Sequence, residues 1–395
     1  MDKERIAIIF HHIGPYHHAR LAAASERMDL IAIEWSAQGS YEWGHAGESR
    51  TYEKTTVFRR APRAKAAVPR LQTELASIFQ RTCPRVVAIN GWNDYGAVTA
   101  MRICVKMGIP FVIMSDSAYH DFTRHWWVEA IKRRVVKLAS AAFVAGSPHK
   151  DYVVQLGLRP ESVFLGYDVV DNAYFSDSAR RLGEQRDGGD LPRGDYFLAS
   201  SRFVPKKNLF RLLSAFNAYR LTAGGEAWEL VILGDGEMRS EIESHISNLE
   251  LTSCVHLPGF RTYSELPMYY AHAGAFVHAS TTEQWGLVVN EAMASGLPVL
   301  VSDRCGCATD LVGHGVNGFQ FDPFDVRQLS ELMLFTASSG CDRLAMGRAS
   351  QEIISKWTPD RFSQGLMDAS SYAIREGMPA RGMADRVLLR LLELK

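Results

Sequence analysis

At 395 residues the chain has room for two or three domains of about 150 residues each. A composition of 47% hydrophobic and 22% charged residues excludes a disordered, collagen-like or low-complexity chain. Lys+Arg and Asp+Glu stand at 44 each, so there is no basic excess for gripping bulk nucleic acid, and no apolar run is long enough to cross a membrane as a helix.

The opening MDKERIAIIFHHIG has too short an apolar run and too many acids for a signal peptide. With only six cysteines, this predicts a cytoplasmic location with reduced thiols, the inner face of the membrane included. Short apolar, β-branched runs then alternate with amphipathic stretches. RIAIIF (5–10), LIAIEW (30–35), VVAI (86–89), PFVIM (110–114) and AAFVA (141–145) read as buried strands, with helical patterns at 71–80 and 97–108 between them. A second series comprises YFLAS (196–200), ELVIL (229–233), AFVHA (275–279), PVLVS (298–302) and GFQF (318–321). Strand–helix alternation of this kind builds parallel sheets with helices on both faces.

The polar, glycine-rich segment 178–195 separates the two series. The expected organisation is therefore two doubly wound domains facing a central cleft, 1–185 and 190–372, with a C-terminal helix at about 375–395 packing back on the first. Ligands of such sheets sit at the carboxyl ends of the strands.

In the first series, IFHHIGPYHHARL (9–21) turns into a helix at Gly14 and Pro15, and Gly14 lets a substrate approach the backbone. His11, His12, His17 and His18 have no carboxylate or cysteine spaced as a partner, so no metal is expected; His18 is a candidate acceptor contact, with a plain surface role as the alternative. Trp92 and Asn93, after VVAI, are further cleft-edge candidates. In PFVIMSDSAYHDF, Asp116 either serves the reaction or caps a following helix, with His120 close behind. Segments 54–70 and 124–137 are locally basic. The second reads as a helix with Trp127, Ile131, Val135 and Leu138 at core spacing, its cations either simply solvated or in reversible contact with anionic lipid or a lipid-linked acceptor.

The second series carries the stronger signals. In TTEQWGLVVNEAMASGLPVLVSD (281–303) a helix begins near Gly286, where free N–H groups and the positive dipole end favour a phosphate. Glu283 in the loop before it and Glu291 within it are placed to bind hydroxyls. In SRFVPKKNLFRLLSAF (201–216), Arg202 and Lys207 lie on a strand-to-helix loop where two cations suit a pyrophosphate. Gly234 and Gly236 in LGDGEM permit close backbone approach.

Together, SRFVPKKN, ILGDGEM, VHLPGF (255–260), Glu283 and Glu291 eight residues apart, EAMASGLPVLVSD and GVNGFQF (315–321) resemble the retaining glycosyltransferases of family 4, with the GT-B fold. The resemblance is dense over 196–325 and looser in CPRVVAING, MGIPFVIMSDS and FVAGSPHKDYVVQLGL. It implies that Arg202, Lys207 and the backbone amides of Gly286, Leu287 and Val288 hold the donor diphosphate, with Gly14 and Gly234 on the donor side. Glu291 would bind the ribose, Glu283 the transferred sugar, and Phe260 would lie by the base. Asp116 or Ser115 falls where relatives often carry a histidine near the reacting sugar. Asn208 stands where a glycine usually follows the lysine, RCGCATDLV (304–312) replaces a usual glycine pair, and the loop at Gly14 has one glycine where many relatives have two.

The expected activity is transfer of a sugar from a UDP- or GDP-sugar to an acceptor hydroxyl with retention, in bacterial polysaccharide or glycoconjugate synthesis, needing no cofactor or metal. The acceptor would be a glycan or lipid-linked. An NAD-dependent oxidoreductase lacks its glycine fingerprint here. A nucleotide-sugar epimerase, a sugar phosphorylase or a non-catalytic sugar-nucleotide binder are the other readings, separable by whether turnover requires an acceptor.

Overall fold

The computed structural model describes residues 3–37, 51–60, 64–184, 191–192 and 194–393. The chain forms two compact units, Met1–Val169 with Pro359–Lys395, and Val170–Thr358. Much of the segment expected to link them, 185–190 and 193, lies outside the described residues. Residues 178–183 of that segment are helical: the helix Asn172–Gly183 starts where Asp171 accepts a hydrogen bond from the Tyr174 N–H at 3.0 Å, and it buries Phe175 and Ala179.

The first unit has seven strands: β1 Arg5–Phe10, β2 Asp29–Ser36, β3 Glu53–Phe58, β4 Val86–Asn90, β5 Phe111–Ser115, β6 Ala141–Val144 and β7 Val163–Leu165. They run parallel in the order β3-β2-β1-β4-β5-β6-β7, so the direction of succession reverses between β1 and β4. Apart from the exposed Arg5 and the half-buried Asn90 at their ends, the central strands are buried, as a sheet covered on both faces requires. Two strands of this unit escaped the sequence reading. EKTTVF of β3 lies at the sheet edge, mostly exposed, and β7 has only three residues.

The C-terminal residues return to this unit. In the helix Pro359–Glu376, Phe362 packs edge-on against Phe143 at 5.2 Å. Gly365 permits this approach, since a Cβ there would lie 2.6 Å from the Phe143 ring and 2.8 Å from the Leu165 carbonyl. The helix Met383–Glu393 is tied to the helix Tyr95–Met107 through Glu393, which accepts from Thr99 Oγ1 at 2.7 Å and pairs with Arg102 at 2.8 Å.

One expectation for this unit is corrected. The helix Trp126–Val136 buries only Val135 and Val136 of its own residues, with Leu138 just beyond, whereas Trp127 is exposed. Helical spacing identifies residues on one face, but here the core reaches only the last turn of that face.

In the second unit, β8 Tyr196–Ser200, β9 Glu229–Leu233, β10 Val255–Gly259, β11 Ala275–His278, β12 Val299–Ser302 and β13 Gly318–Phe321 form a parallel sheet in the order β10-β9-β8-β11-β12-β13. Its reversal falls between β8 and β11. Ligands of open parallel sheets bind outside the carboxyl ends of the strands at such a switch point.

Candidate active site

The loops leaving β8 and β11 supply the central feature of the second unit. Lys207 follows β8 on the short turn Pro205–Lys207, Glu283 follows β11, and the two side chains form an ion pair across the switch point. Lys206 Nζ lies 3.8 Å from the other Glu283 oxygen, and His278 Nε2, on the last residue of β11, lies 3.4 Å from the oxygen that Lys207 pairs. Burial opposes ionisation of Glu283, but the His278 bond and the charges of Lys207 and Lys206 outweigh it and hold the carboxyl well below the usual carboxylate range. His278 itself is pushed down, first by burial and then by Lys207, against the pull of Glu283. At a sheet switch point the two cations can present positive charge to a diphosphate, and the fixed carboxylate beside them can accept hydrogen bonds from sugar hydroxyls.

Asn208 shows why a non-glycine is tolerated after the lysine. It adopts the left-handed conformation (φ 58°, ψ 33°), which Asn tolerates better than most residues. Its buried amide also donates to the carbonyls of Ala279 at 3.0 Å and Pro323 at 2.8 Å. The Asn side chain thus staples the Lys207 turn to the segments after β11 and β13, an anchorage a glycine lacks.

Gly234 and Gly236 (φ 121° and 158°) permit a close approach, and the structure supplies backbone of the chain itself as the neighbour. A Cβ on Gly234 would lie 1.9 Å from the Ser201 carbonyl oxygen, and one on Gly236 2.6 Å from that of Phe203. The Phe203 N–H donates to Asp235 O at 2.8 Å, so this glycine loop locks the loop that carries Arg202. Arg202 itself is exposed. Gly234 N–H donates to Gly259 O at 2.9 Å, and Phe260 follows it, also exposed.

Gly286 (φ 104°) is the N-cap of the helix Leu287–Ala294, so the first-turn N–H groups, those of Leu287 and Val288 among them, have no carbonyl within the helix to reach. Glu291 is fully buried on this helix and accepts from the Tyr270 hydroxyl at 2.7 Å. The departure at 304–312 also finds its role. Gly306 N–H donates to Glu283 O at 2.9 Å and Cys307 N–H to Trp285 O at 3.2 Å, so the Cys305–Cys307 turn, with both cysteines buried, backs the Glu283 loop. His278, Tyr270 and Lys206 were not singled out from sequence. A histidine ending an apolar strand reads as core until the following loop is seen to fold its carboxylate back onto it.

In the first unit, Gly14 caps the helix Pro15–Arg27 in extended backbone, and its N–H donates to His17 Nδ1 at 3.1 Å. Burial, then Arg20, lowers the His17 pKa to about 3, so its imidazole stays neutral. His18 Nδ1 lies 2.7 Å from the Tyr52 hydroxyl, His11 packs on Trp35, and His12 lies 3.4 Å from the buried Glu34. Trp92 is buried in the core, and His120 is exposed on the turn Tyr119–Asp121. Asp116 is half-buried and caps no helix: the turn after it is capped by Asp121, which accepts from the Ala118 N–H at 2.7 Å. Asp116 instead belongs to a buried electrostatic group with Asp168. Burial and the Asp116 charge push the Asp168 carboxyl up while Arg20, 3.2 Å away, opposes the shift.

Residues 184–352 match the family model described as glycosyl transferases group 1. Among curated proteins, the chain is 32% identical to the sulfoquinovosyl transferase SQD2 of Arabidopsis thaliana over 320 residues, covering 76% of this chain and 58% of that protein. It is 38% identical over 221 residues to a GDP-mannose-dependent alpha-mannosyltransferase of Mycobacterium tuberculosis, covering 54% of this chain and 53% of that protein. The matched regions span 36%, 40% and 58% of three such relatives, the first two being an amylovoran biosynthesis glycosyltransferase of Erwinia amylovora and a mannosylfructose-phosphate synthase of Agrobacterium fabrum. Among solved structures, Anabaena HepE in complex with UDP aligns with a TM-score of 0.72 at 18% identity, covering 93% of this chain and 99% of that one. Sucrose-phosphate synthase of Thermosynechococcus elongatus aligns with a TM-score of 0.71 at 15% identity, covering 92% and 98%. The chain therefore has the α/β fold of the GT-B glycosyltransferases, two Rossmann-like parallel-sheet units, and its residues 184–352 are similar to glycosyl transferases group 1.

Proposed function

We propose that the protein is a glycosyltransferase that takes a sugar from a UDP- or GDP-sugar and joins it, with retention, to a hydroxyl of a glycan or lipid-linked acceptor in bacterial polysaccharide or glycoconjugate synthesis, at the cytoplasmic side of the membrane. The observation that carries this reading is the Lys207–Glu283 pair at the switch point of the second sheet. The group 1 match over the same residues and the UDP bound in Anabaena HepE support it.

In this reading Lys207 and Arg202 take up the charge that develops on the leaving diphosphate, and the helix start at Gly286 receives a phosphate. Glu283, held ionised, accepts hydrogen bonds from the transferred sugar. Glu291 and Phe260 serve the nucleoside. Gly14 serves the donor side, Asp116 lies by the reacting sugar, and His18 belongs to the acceptor side. The departing phosphate accepts the acceptor's proton on the same face of the sugar, so no separate general base is required, and no metal or cofactor takes part.

The test is a panel of UDP-, GDP- and dTDP-sugars, followed by release of nucleotide with and without glycan acceptors, and by NMR of the product linkage. An α-donor giving an α-linked product supports the reading. A β-linked product overturns retention, and nucleotide-sugar conversion without any acceptor requirement indicates an epimerase.

A further inference from the structure

On the first unit, a short segment displays large aromatic side chains to solvent: Trp126 is 82% exposed, Phe122 65%, Trp127 50% and Tyr119 49%. Such exposure of bulky apolar groups, clustered within nine residues, marks an interaction surface. The segment is braced rather than loose. Arg124 donates to the Tyr119 carbonyl at 2.7 Å and the Tyr152 hydroxyl at 3.0 Å, while its guanidinium lies over the Tyr119, Phe122 and Tyr152 rings at 5.7, 6.0 and 4.5 Å. Asp121 fixes the start of the turn by accepting from the Ala118 N–H. Arg124 thus braces Tyr119 and Phe122 in place, while Trp126 and Trp127 stand outward beside them.

The charges around them have one uncompensated sign. The helix Trp126–Val136 is joined to the helix Met383–Glu393 by Arg134 and Asp385, 2.6 Å apart. These two helices contain three carboxylates, and each is taken: Glu129 by Lys132 and Arg124, Asp385 by Arg134, Glu393 by Arg102. Arg133, Lys137, Arg386 and Arg390 are exposed and form no ion pair among the described residues. The second helix adds an exposed stripe of Met383, Val387 and Leu391, spaced four residues apart.

We propose that this face docks on an anionic lipid bilayer, the aromatic rings entering the headgroup region and the four cations meeting lipid phosphates. Tryptophan suits that depth because its ring is apolar and its N–H polar. The carboxylates of both helices are already paired, so the exposed cations leave a single sign of charge, which suits an anionic lipid surface. No described helix is long and apolar enough to cross a membrane, so the contact is peripheral. The surface does not depend on the transfer reaction, and its test needs no donor or acceptor.

The test is flotation of the full chain with phosphatidylcholine vesicles, with and without phosphatidylglycerol, at low and high salt. Binding to anionic vesicles only, reversed by salt, is expected. Trp126→Ala with Trp127→Ala, and separately Arg133→Glu with Lys137→Glu, should each weaken binding by about tenfold or more, each cation near such a surface contributing about 1 kcal/mol. Circular dichroism and thermal unfolding should be unchanged in both variants, which separates a lost surface from a lost fold. Absence of binding to anionic vesicles at low salt overturns the proposal. So does equal binding by both double variants, or a concentration-dependent dimer that the tryptophan variants abolish without any vesicle binding.

Discussion

Lys207 and Glu283 are 76 residues apart in the chain and meet as an ion pair at the point where the strand order of the second sheet reverses. The pair holds the β8 and β11 loops together before any donor arrives. Truncating Lys207 leaves a mostly buried carboxylate with Lys206, His278 and the Ser280 hydroxyl beside it. Lys207→Met should therefore cost about 2 kcal/mol of stability, and the double variant Lys207→Met, Glu283→Gln much less than the sum of its two singles. A thermal-unfolding cycle of the four proteins checks this; strict additivity would show that the pair is not coupled.

Catalysis should respond differently. Arg202 is exposed, so Arg202→Ala should leave unfolding unchanged while lowering turnover by about 2–4 kcal/mol of transition-state stabilisation. Lys207→Ala should lose a similar amount. Wild-type rates in a folded double variant would remove both cations from the diphosphate site.

Protein cations in place of a divalent ion predict activity that survives dialysis against excess EDTA. Loss of turnover that Mn²⁺ or Mg²⁺ restores would contradict this.

Asn208 offers a test of backbone against side chain. Asn208→Gly keeps the left-handed turn but drops two buried hydrogen bonds, a loss of about 1–2 kcal/mol. Asn208→Val forces a β-branched residue into φ 58° and should be distinctly worse. Thermal unfolding of the two variants orders them.

His17 predicts a pH dependence. Its folded pKa is lowered to about 3 from an ordinary 6.5, so between those values the unfolded chain binds a proton that the folded chain does not. The stability tied to this group is full above about 6.5 and is lost as the pH falls toward 3. His17→Gln retains an acceptor for the Gly14 N–H without titrating. Urea unfolding at several pH values should show a shallower acid-side decline in that variant.

How much of this was legible in sequence follows from what each residue signals by itself. The central strands announced themselves as unbroken apolar runs because both faces of each sheet are covered. The exposed edge strand β3 has no such run. Lys207 and Glu283 were legible because each sits in a turn between a strand and a helix, where a charged residue stands out. His278 and Tyr270 were not, since both look like core until the chain brings a carboxylate to them. The same limit misplaced Trp127, where the helical period was right and the extent of the core was not. Asn208 appeared as a departure from a pattern, and only its two carbonyl partners reveal it as a staple.

The route of the chain also orders its birth. The first unit is built from residues up to Val169 and from Pro359 onward, while the second is contiguous from Val170 to Thr358. During synthesis the usual rule is that the N-terminal domain folds first. Here the helix Pro359–Glu376, whose Phe362 packs on Phe143 of the first sheet, emerges only when the second unit already has all its residues. The half made first on the ribosome is thus the half completed last, and a chain stopped near residue 358 would hold a finished second unit beside an open sheet.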